Sequence, residues 1–385
     1  MQYFFNEQQE MIRDLARRIA EERIMPVRRE LDESGEFPWA VMKDIADADL
    51  FRVFIPEEYD GLGGGSLDLC LAIEELSRAC SGIALCYAAC ALGATPILLY
   101  GSDEQKRKYL PEIASGKRLT AFGLTEPSAG SDAGAIRTSA SRDGEGYLLN
   151  GTKQFITNGG VAEIYTVIAL TDPNKGSRGA SALVVEKGDE GFTFGKEEDK
   201  MGIRSSATRE LVFRNCRVPA ENLIGREGMG FIVTLKTLDK SRPGVASLAV
   251  GLAQGALEAA VDYSRGRVQF GHPVSSIQAV QHILADMATQ LEAARALVYQ
   301  TARNIDAGAK DYSEEAAMAK VFATDMAMKV ATDAVQVFGG VGYMKDYPVE
   351  KMMRDAKIHQ IYEGTNQVLR NTIALELLKR KGMRG

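Results

Sequence analysis

From Ser81 to Tyr100 the chain runs for twenty residues without a charged side chain, and a stretch that long must be hidden from water. Its length raises the question of a membrane span. It is rich in Ala, Gly and Cys, however, and carries Pro96 near its end. A buried helix lining a core or a pocket is therefore expected, and no membrane partner. With 385 residues, two or three domains sharing large cores are expected around it.

The hydrophobic period changes twice. Residues 1–117 read as helices, with charge on one side and apolar residues on the other in Leu71–Ala79 and Glu104–Ile113. In residues 118–228 short β-branched runs take over (Tyr165–Leu170, Ser181–Glu186, Leu211–Phe213), and Asp143-Gly-Glu-Gly146 signals a hairpin. In residues 229–385 the helical period returns. Val280, Leu284, Met287, Leu291, Ala294 and Val298 form one apolar stripe, with Ser275 able to cap its start. Ser313, Glu314 and Glu315 suit the start of the next helix and Gly339-Gly340 its end. With a Phe231–Arg267 helix and a C-terminal pair, this region reads as a four-helix-bundle-like domain. The expected fold is mainly α with a middle β domain.

A formal net charge of -6 argues against nucleic acid or anionic lipid as a partner. The five cysteines form no C-x-x-C pair and read as reduced core residues of a cytoplasmic protein, while three scattered histidines argue against a metal centre. The N-terminal segment lacks the apolar core of a signal peptide and is too acidic for a transit peptide.

Several segments suggest chemistry. Gly61-Leu-Gly-Gly-Gly-Ser66 follows a possible strand at Phe51–Ile55, but Ser66 stands where a dinucleotide fingerprint needs glycine, and Glu57, Glu58 and Asp60 would repel a pyrophosphate. In Phe122-Gly-Leu-Thr-Glu-Pro-Ser-Ala-Gly-Ser-Asp132, the hydroxyls and Gly130 could cradle a flavin edge or a phosphate, or form an ordinary polar loop. Asn150–Asn158 sets Phe155 among hydroxyl and amide groups at a strand end, the pattern also of a plain hairpin with a half-buried Phe. Arg265 and Arg267 end a helix, where they complement its dipole or grip a diphosphate. Glu363 sits in a helix-to-helix turn, where a carboxylate is ordinarily solvated.

Taken together and in order, these segments resemble the acyl-CoA dehydrogenase family. The resemblance rests on LTEPSAGSD, the FITNGG run at 155–160, KMGIRSSATRE at 200–210, LDKSRP at 238–243, RVQFG at 267–271, QVFGGVGY at 336–343 and IYEGTNQ at 361–367. It implies an enzyme of fatty-acid metabolism with a helical N-terminal domain, a middle β domain and a C-terminal helical bundle, assembled as a homotetramer that is a dimer of dimers. FAD would lie among Phe122, Leu124, Thr125, Gly130, Ser131, Phe155, Thr157, Thr365 and Gln367. Arg267, Gln269, Phe270, Gln336 and Gly340 would reach it from the neighbouring subunit. The acyl-CoA would meet Ser131, Leu238, Asp239, Arg242, Tyr362 and Gly364.

By the same resemblance, the thioester carbonyl would be held by the backbone N–H of Glu363 and a flavin ribityl hydroxyl. Glu363 would take the α proton and the β hydrogen would pass to flavin N5, leaving a trans-2-enoyl-CoA. Burial under an acyl chain should raise the pKa of Glu363. Some relatives carry the base on the LDKSRP helix, but the matching position here is Ser241, which cannot serve. Relatives that oxidise dicarboxylic substrates carry an arginine near the segment matching Ser81–Tyr100, so an apolar tail (short, branched or alicyclic) is expected. Electron-transfer flavoprotein would reoxidise the FAD. The rivals are an acyl-CoA oxidase, disfavoured by length, and a non-catalytic acyl-CoA or flavin binding protein, disfavoured by Glu363.

Overall fold

The structure, a computed structural model, describes residues 3–382. Six helices come first: α1 (Glu7–Ile19), α2 (Arg28–Ser34), α3 (Trp39–Asp47), α4 (Ser66–Ala79), α5 (Ser81–Tyr100) and α6 (Asp103–Ala114). Next come β1 (Thr120–Gly123), β2 (Ser139–Asp143), β3 (Gly146–Thr157), β4 (Ile164–Leu170), β5 (Ala180–Glu186), β6 (Phe192–Glu197), β7 (Thr208–Pro219) and β8 (Leu223–Ile224). The long α7 (Gly230–Gly266), a small hairpin of β9 (Val268–Gln269) and β10 (His272–Pro273), and α8 (Gln278–Asp306), α9 (Ser313–Phe338), α10 (Val349–His359) and α11 (Asn366–Gly382) complete the chain.

The uncharged segment is a buried helix, as its composition requires. Both α5 and α7 are long and apolar enough to cross a membrane, yet 78% of the apolar window of α5 is buried inside the protein. Polar ties fasten α5 to the sheet: Thr120 Oγ1 donates to the Cys90 carbonyl (2.6 Å), Thr166 Oγ1 to that of Gly93 (3.1 Å) and Asn158 Nδ2 to that of Cys86 (3.0 Å). All five cysteines are free and buried.

The strands run β6-β7-β3-β2-β4-β5-β8, with β1 parallel to β4. The expected hairpin at Asp143–Gly146 joins β2 to β3, with Asp143 opposite Gly146. Tyr165, Phe192, Phe194 and Phe213 fill one face, Phe192 stacking on Phe213 at 5.0 Å between centroids. The apolar stripe of α8 packs Met287, Leu291, Ala294 and Val298 against α4, α7 and α9.

Three local expectations need correction. Phe51–Ile55 is not a strand: Leu50–Phe54 forms a 3-10 turn closed by Ile55 N–H to the Arg52 carbonyl (3.2 Å). Ser275 does not cap α8, because a turn at Val274–Ser276 delays the helix to Gln278 and Ile277 stands at its cap. Finally, α4 has no solvated face. Helix α1 covers one side and α7 and α8 the other, so Glu74 and Glu75 are buried and find arginines instead. Glu74 pairs with Arg295 (2.8 Å) and Glu75 with Arg17 (2.6 Å). Helix α9 begins at Ser313 and ends at Gly339 (φ 66°) as expected, although the Ser313 hydroxyl donates to Asp239 (3.0 Å) rather than capping its own helix.

Helices α4 and α7 approach closely. A Cβ on Gly251 would lie 2.1 Å from the Glu74 carbonyl oxygen, and one on Gly255 2.2 Å from that of Arg78. Only glycine permits this contact.

Candidate active site

The turn between α10 and α11 carries Glu363 at φ 50° and Gly364 at φ 94°. A left-handed conformation costs a side-chain-bearing residue roughly 1–2 kcal/mol, so the surroundings must hold it. They do so from α9. Lys320 Nζ, fully buried, donates to the Gly364 carbonyl (2.8 Å) and to Asn366 Oδ1 (2.9 Å). Asp325 accepts from Gln360 Nε2 (2.6 Å) and Asn366 Nδ2 (2.8 Å), pinning both ends of the turn. The backbone N–H of Glu363 donates no hydrogen bond among the described residues.

The partly buried Glu363 carboxylate borders a cleft of about 290 Å³ between α4, α5 and α7, whose apolar lining includes Ile73, Ala88, Ala91, Leu92 and Val245. Burial raises its pKa; the Ser241 hydroxyl, donating to Oε2 at 2.5 Å, and the charges of Arg242 and Lys320 act against that rise. Ser241 thus serves as a hydrogen-bond donor to this carboxylate. Arg242, itself buried, pairs with Asp239 (2.5 Å) and leaves Nε without a partner among the described residues. Asp239, Arg242, Tyr362, Glu363 and Gly364 therefore lie together, with the Leu238 carbonyl 3.1 Å from Ser241 Oγ. The cleft is less apolar than α5 alone suggested, because Lys240 and Asp306 also line it. Their charges are opposite and add no net charge.

Behind the turn, buried His359 bonds Ser81 Oγ through Nε2 (2.9 Å) and Tyr362 Oη through Nδ1 (2.5 Å). Burial, with Lys320 adding to it, brings the ring's pKa down to about 3, so it is neutral. Burial also raises the pKa of Tyr362 well above its ordinary value. The tyrosine therefore stays protonated and donates to Nδ1, leaving Nε2–H to donate to Ser81. Burial lowers Lys320 to about 7.

A second group lies where β1 meets β3. The Gln154 N–H donates to the Thr125 carbonyl (2.8 Å), bringing Phe122, Leu124 and Thr125 alongside Phe155 and Thr157. Phe155 is held at φ 59° and is 57% exposed, not half-buried. Gly130 and Ser131 are exposed on the loop between. That loop is no ordinary polar loop. The buried Lys153 ammonium bonds Glu126 (2.7 Å) and the Leu124 carbonyl (3.0 Å), and Glu126 also accepts the backbone N–H groups of Arg137 (2.6 Å) and Thr138 (2.9 Å). An uncovered aromatic face beside hydroxyls from two segments fits a flat, hydrogen-bonding ring such as a flavin. Thr365 caps α11 by accepting from the Val368 N–H (3.2 Å), and Gln367 is exposed beside it.

A third group stands apart. Arg267, Gln269 and Phe270 are exposed on the β9–β10 hairpin, and Gln336 and Gly340 are exposed at the C-terminal end of α9. Stacking of Tyr263 on Phe338 (4.1 Å between centroids) brings the two helix ends together. At about 1.5 Å rise per residue, Gln336 lies roughly 24 Å along α9 from Lys320. These residues cannot reach the Glu363 site of their own chain, which fits their expected service to a neighbour.

Lys153, Glu126, Lys320, Lys240 and His359 were not singled out from sequence. A signal existed for three. Lys153 shares strand parity with the inward Tyr147 and Leu149; Lys320 falls on the Ala316, Ala317, Ala323 and Ala327 stripe; His359 follows Val349, Met352 and Ala356 at spacings of three and four.

Comparison with known proteins agrees with this arrangement. The profiles described as the N-terminal, middle and C-terminal domains of acyl-CoA dehydrogenase match residues 6–117, 121–216 and 228–378. An acyl-CoA dehydrogenase of Bacillus subtilis (strain 168) is 48% identical over 377 residues, covering 97% of this chain and 98% of that protein. The structure of butyryl-CoA dehydrogenase from Megasphaera elsdenii superposes with a TM-score of 0.96 at 45% identity, covering 98% of this chain and 100% of that one. A chain in the structure of the electron transferring flavoprotein of Acidaminococcus fermentans, solved towards a mechanism of flavin-based electron bifurcation, gives 0.96 at 51% identity, with coverage of 98% and 100%.

Proposed function

Because the chain belongs to the acyl-CoA dehydrogenase family, we propose that it removes the α and β hydrogens of a short, branched or alicyclic acyl-CoA with Glu363 as base. The observation that carries this reading is a carboxylate of raised pKa, held in a left-handed turn at an apolar cleft. The backbone N–H of Glu363 is free to donate to the thioester oxygen and stabilise developing enolate charge. Glu363 then takes the α proton, and burial makes it a stronger base than a solvated carboxylate. The apolar walls exclude water and favour an uncharged tail, since Lys240 is already opposed by Asp306.

FAD, when bound, supplies the acceptor for the β hydrogen. Phe122, Leu124, Thr125, Gly130, Ser131, Phe155, Thr157, Thr365 and Gln367 would hold it from one subunit, and Arg267, Gln269, Phe270, Gln336 and Gly340 from the next, in a homotetramer. Ser131, Leu238, Asp239 and Arg242 would hold the CoA arm, with Tyr362 and Gly364 flanking the thioester. The domains on this reading are residues 1–117, 118–228 and 229–385. Electron-transfer flavoprotein as acceptor is supported by the likeness to the Acidaminococcus structure, and a cytoplasmic setting by the free, buried cysteines.

The test is Glu363→Gln, which keeps size and reach but not the ability to act as a carboxylate base. The variant should retain FAD and acyl-CoA binding while anaerobic flavin reduction slows by roughly two to four orders of magnitude in stopped flow. A near-normal rate would mean that another group is the base.

A further inference from the structure

We infer that Lys320 is a positioning residue for Glu363: from α9 it holds the left-handed turn through the Gly364 carbonyl and Asn366, and in its protonated form it sets a positive charge near the carboxylate. The inference rests on the reading of Glu363 as base. Lys320 is fully buried among Ala316, Ala317, Ala323 and Thr324. It forms no ion pair among the described residues; its acceptors at 2.8 and 2.9 Å, the Gly364 carbonyl and Asn366 Oδ1, are both neutral. Burying an ammonium without a paired carboxylate opposes folding, and an apolar side chain of similar volume would be more stable there. Stability therefore does not explain this lysine, whereas what it touches does.

Its two acceptors lie one and three residues after Glu363, and Glu363 occupies a conformation it would not adopt unaided. Three charged groups act on Lys320. They are Glu363 in the turn, Arg242 on α7 and Asp325 on α9 itself. His359 on α10 feels its charge in return and stays neutral. Of these, Glu363 is the carboxylate whose acidity Lys320 increases. The lysine thus acts on the base in two ways, through the backbone that aims it and through the field around it.

The two effects separate in variants of the FAD-loaded enzyme. Lys320→Met removes both. Anaerobic flavin reduction should slow by about ten- to a hundredfold, the scale of a misplacement near one ångström, with FAD content unchanged and KM for acyl-CoA within about threefold. The acid limb of its kcat/KM profile should move up by about one pH unit as Glu363 loses a neighbouring cation. Lys320→Gln keeps a donor for the Gly364 carbonyl without the charge, so it should recover much of the rate but keep the displaced limb. A Met variant with the parent rate and limb, alongside an inactive Glu363→Gln, overturns the inference and leaves Glu363 as base. A fully active Glu363→Gln removes the premise and the inference with it. Should Lys320→Met not fold, the position of the acid limb in Lys320→Gln decides alone, and an unmoved limb overturns the inference.

Discussion

Glu363 and His359 are four residues apart, yet burial affects them in opposite ways. It makes the carboxylate a better base and denies the imidazole its charge. For His359 this has a measurable consequence. Its ordinary pKa of 6.5 falls to about 3 in the folded chain. As the pH drops through about 6.5, the unfolded ring takes up a proton that the folded ring refuses. The unfolded chain then binds more protons, so folded stability rises with pH across this window and is lost on acidification. Between pH 7 and pH 5 the loss amounts to about 2 kcal/mol by linkage. His359→Gln, unable to titrate, should lose that much less over the same interval when urea midpoints are compared; equal losses would mean that His359 is already protonated when folded. The position of Glu363 in a helix-to-helix turn was legible from its flanking residues. What holds it was hidden, because lysines at 153 and 320 are ordinarily solvent-exposed, and only strand parity and an alanine stripe marked them as inward-facing.

At the level of elements, the long apolar periods identified helices well, and the β-branched run Tyr165–Leu170 identified a strand that is buried on both faces. The 3-10 turn at Leu50–Phe54 did not yield to the same reading. Phe51, Val53 and Ile55 alternate with more exposed neighbours as they would in a strand, but no partner strand adjoins them among the described residues and Asp49 (φ 58°) starts a tight turn. The amphipathic look of α4 misled because charge was taken for exposure, while Glu74 and Glu75 face arginines from other parts of the chain. Its contact with α7 leaves no room for a side chain at Gly251 or Gly255 and suggests a direct test. Gly251→Ala would place a methyl 2.1 Å from the Glu74 carbonyl oxygen, so α4 and α7 must separate at a cost of about 1–3 kcal/mol. The melting temperature should fall accordingly. An unchanged value would mean that the helices part without loss of packing.

At the scale of the molecule, the hairpin end of the bundle exposes apolar surface. Phe270 is 88% exposed and Tyr343 80%, which favours a partner surface over open water. With Arg267 beside them, this end suits shared possession of a cofactor. Arg267→Ala should purify paler, with a lower flavin-to-protein absorbance ratio, and sediment as a smaller species; full colour and unchanged size would dismiss that role. The carboxylate of Asp306 accepts the backbone N–H groups of Ser66 (2.6 Å) and Leu67 (2.9 Å) at the start of α4, and Arg295 answers buried Glu74. These bonds join positions 240 and 221 residues apart. A ribosome adding roughly 5–20 residues per second leaves α4 without either partner for on the order of ten to fifty seconds after it emerges. During that interval the first third of the nascent chain lacks the contacts that the last third supplies, and buried Glu74 has no Arg295 to meet.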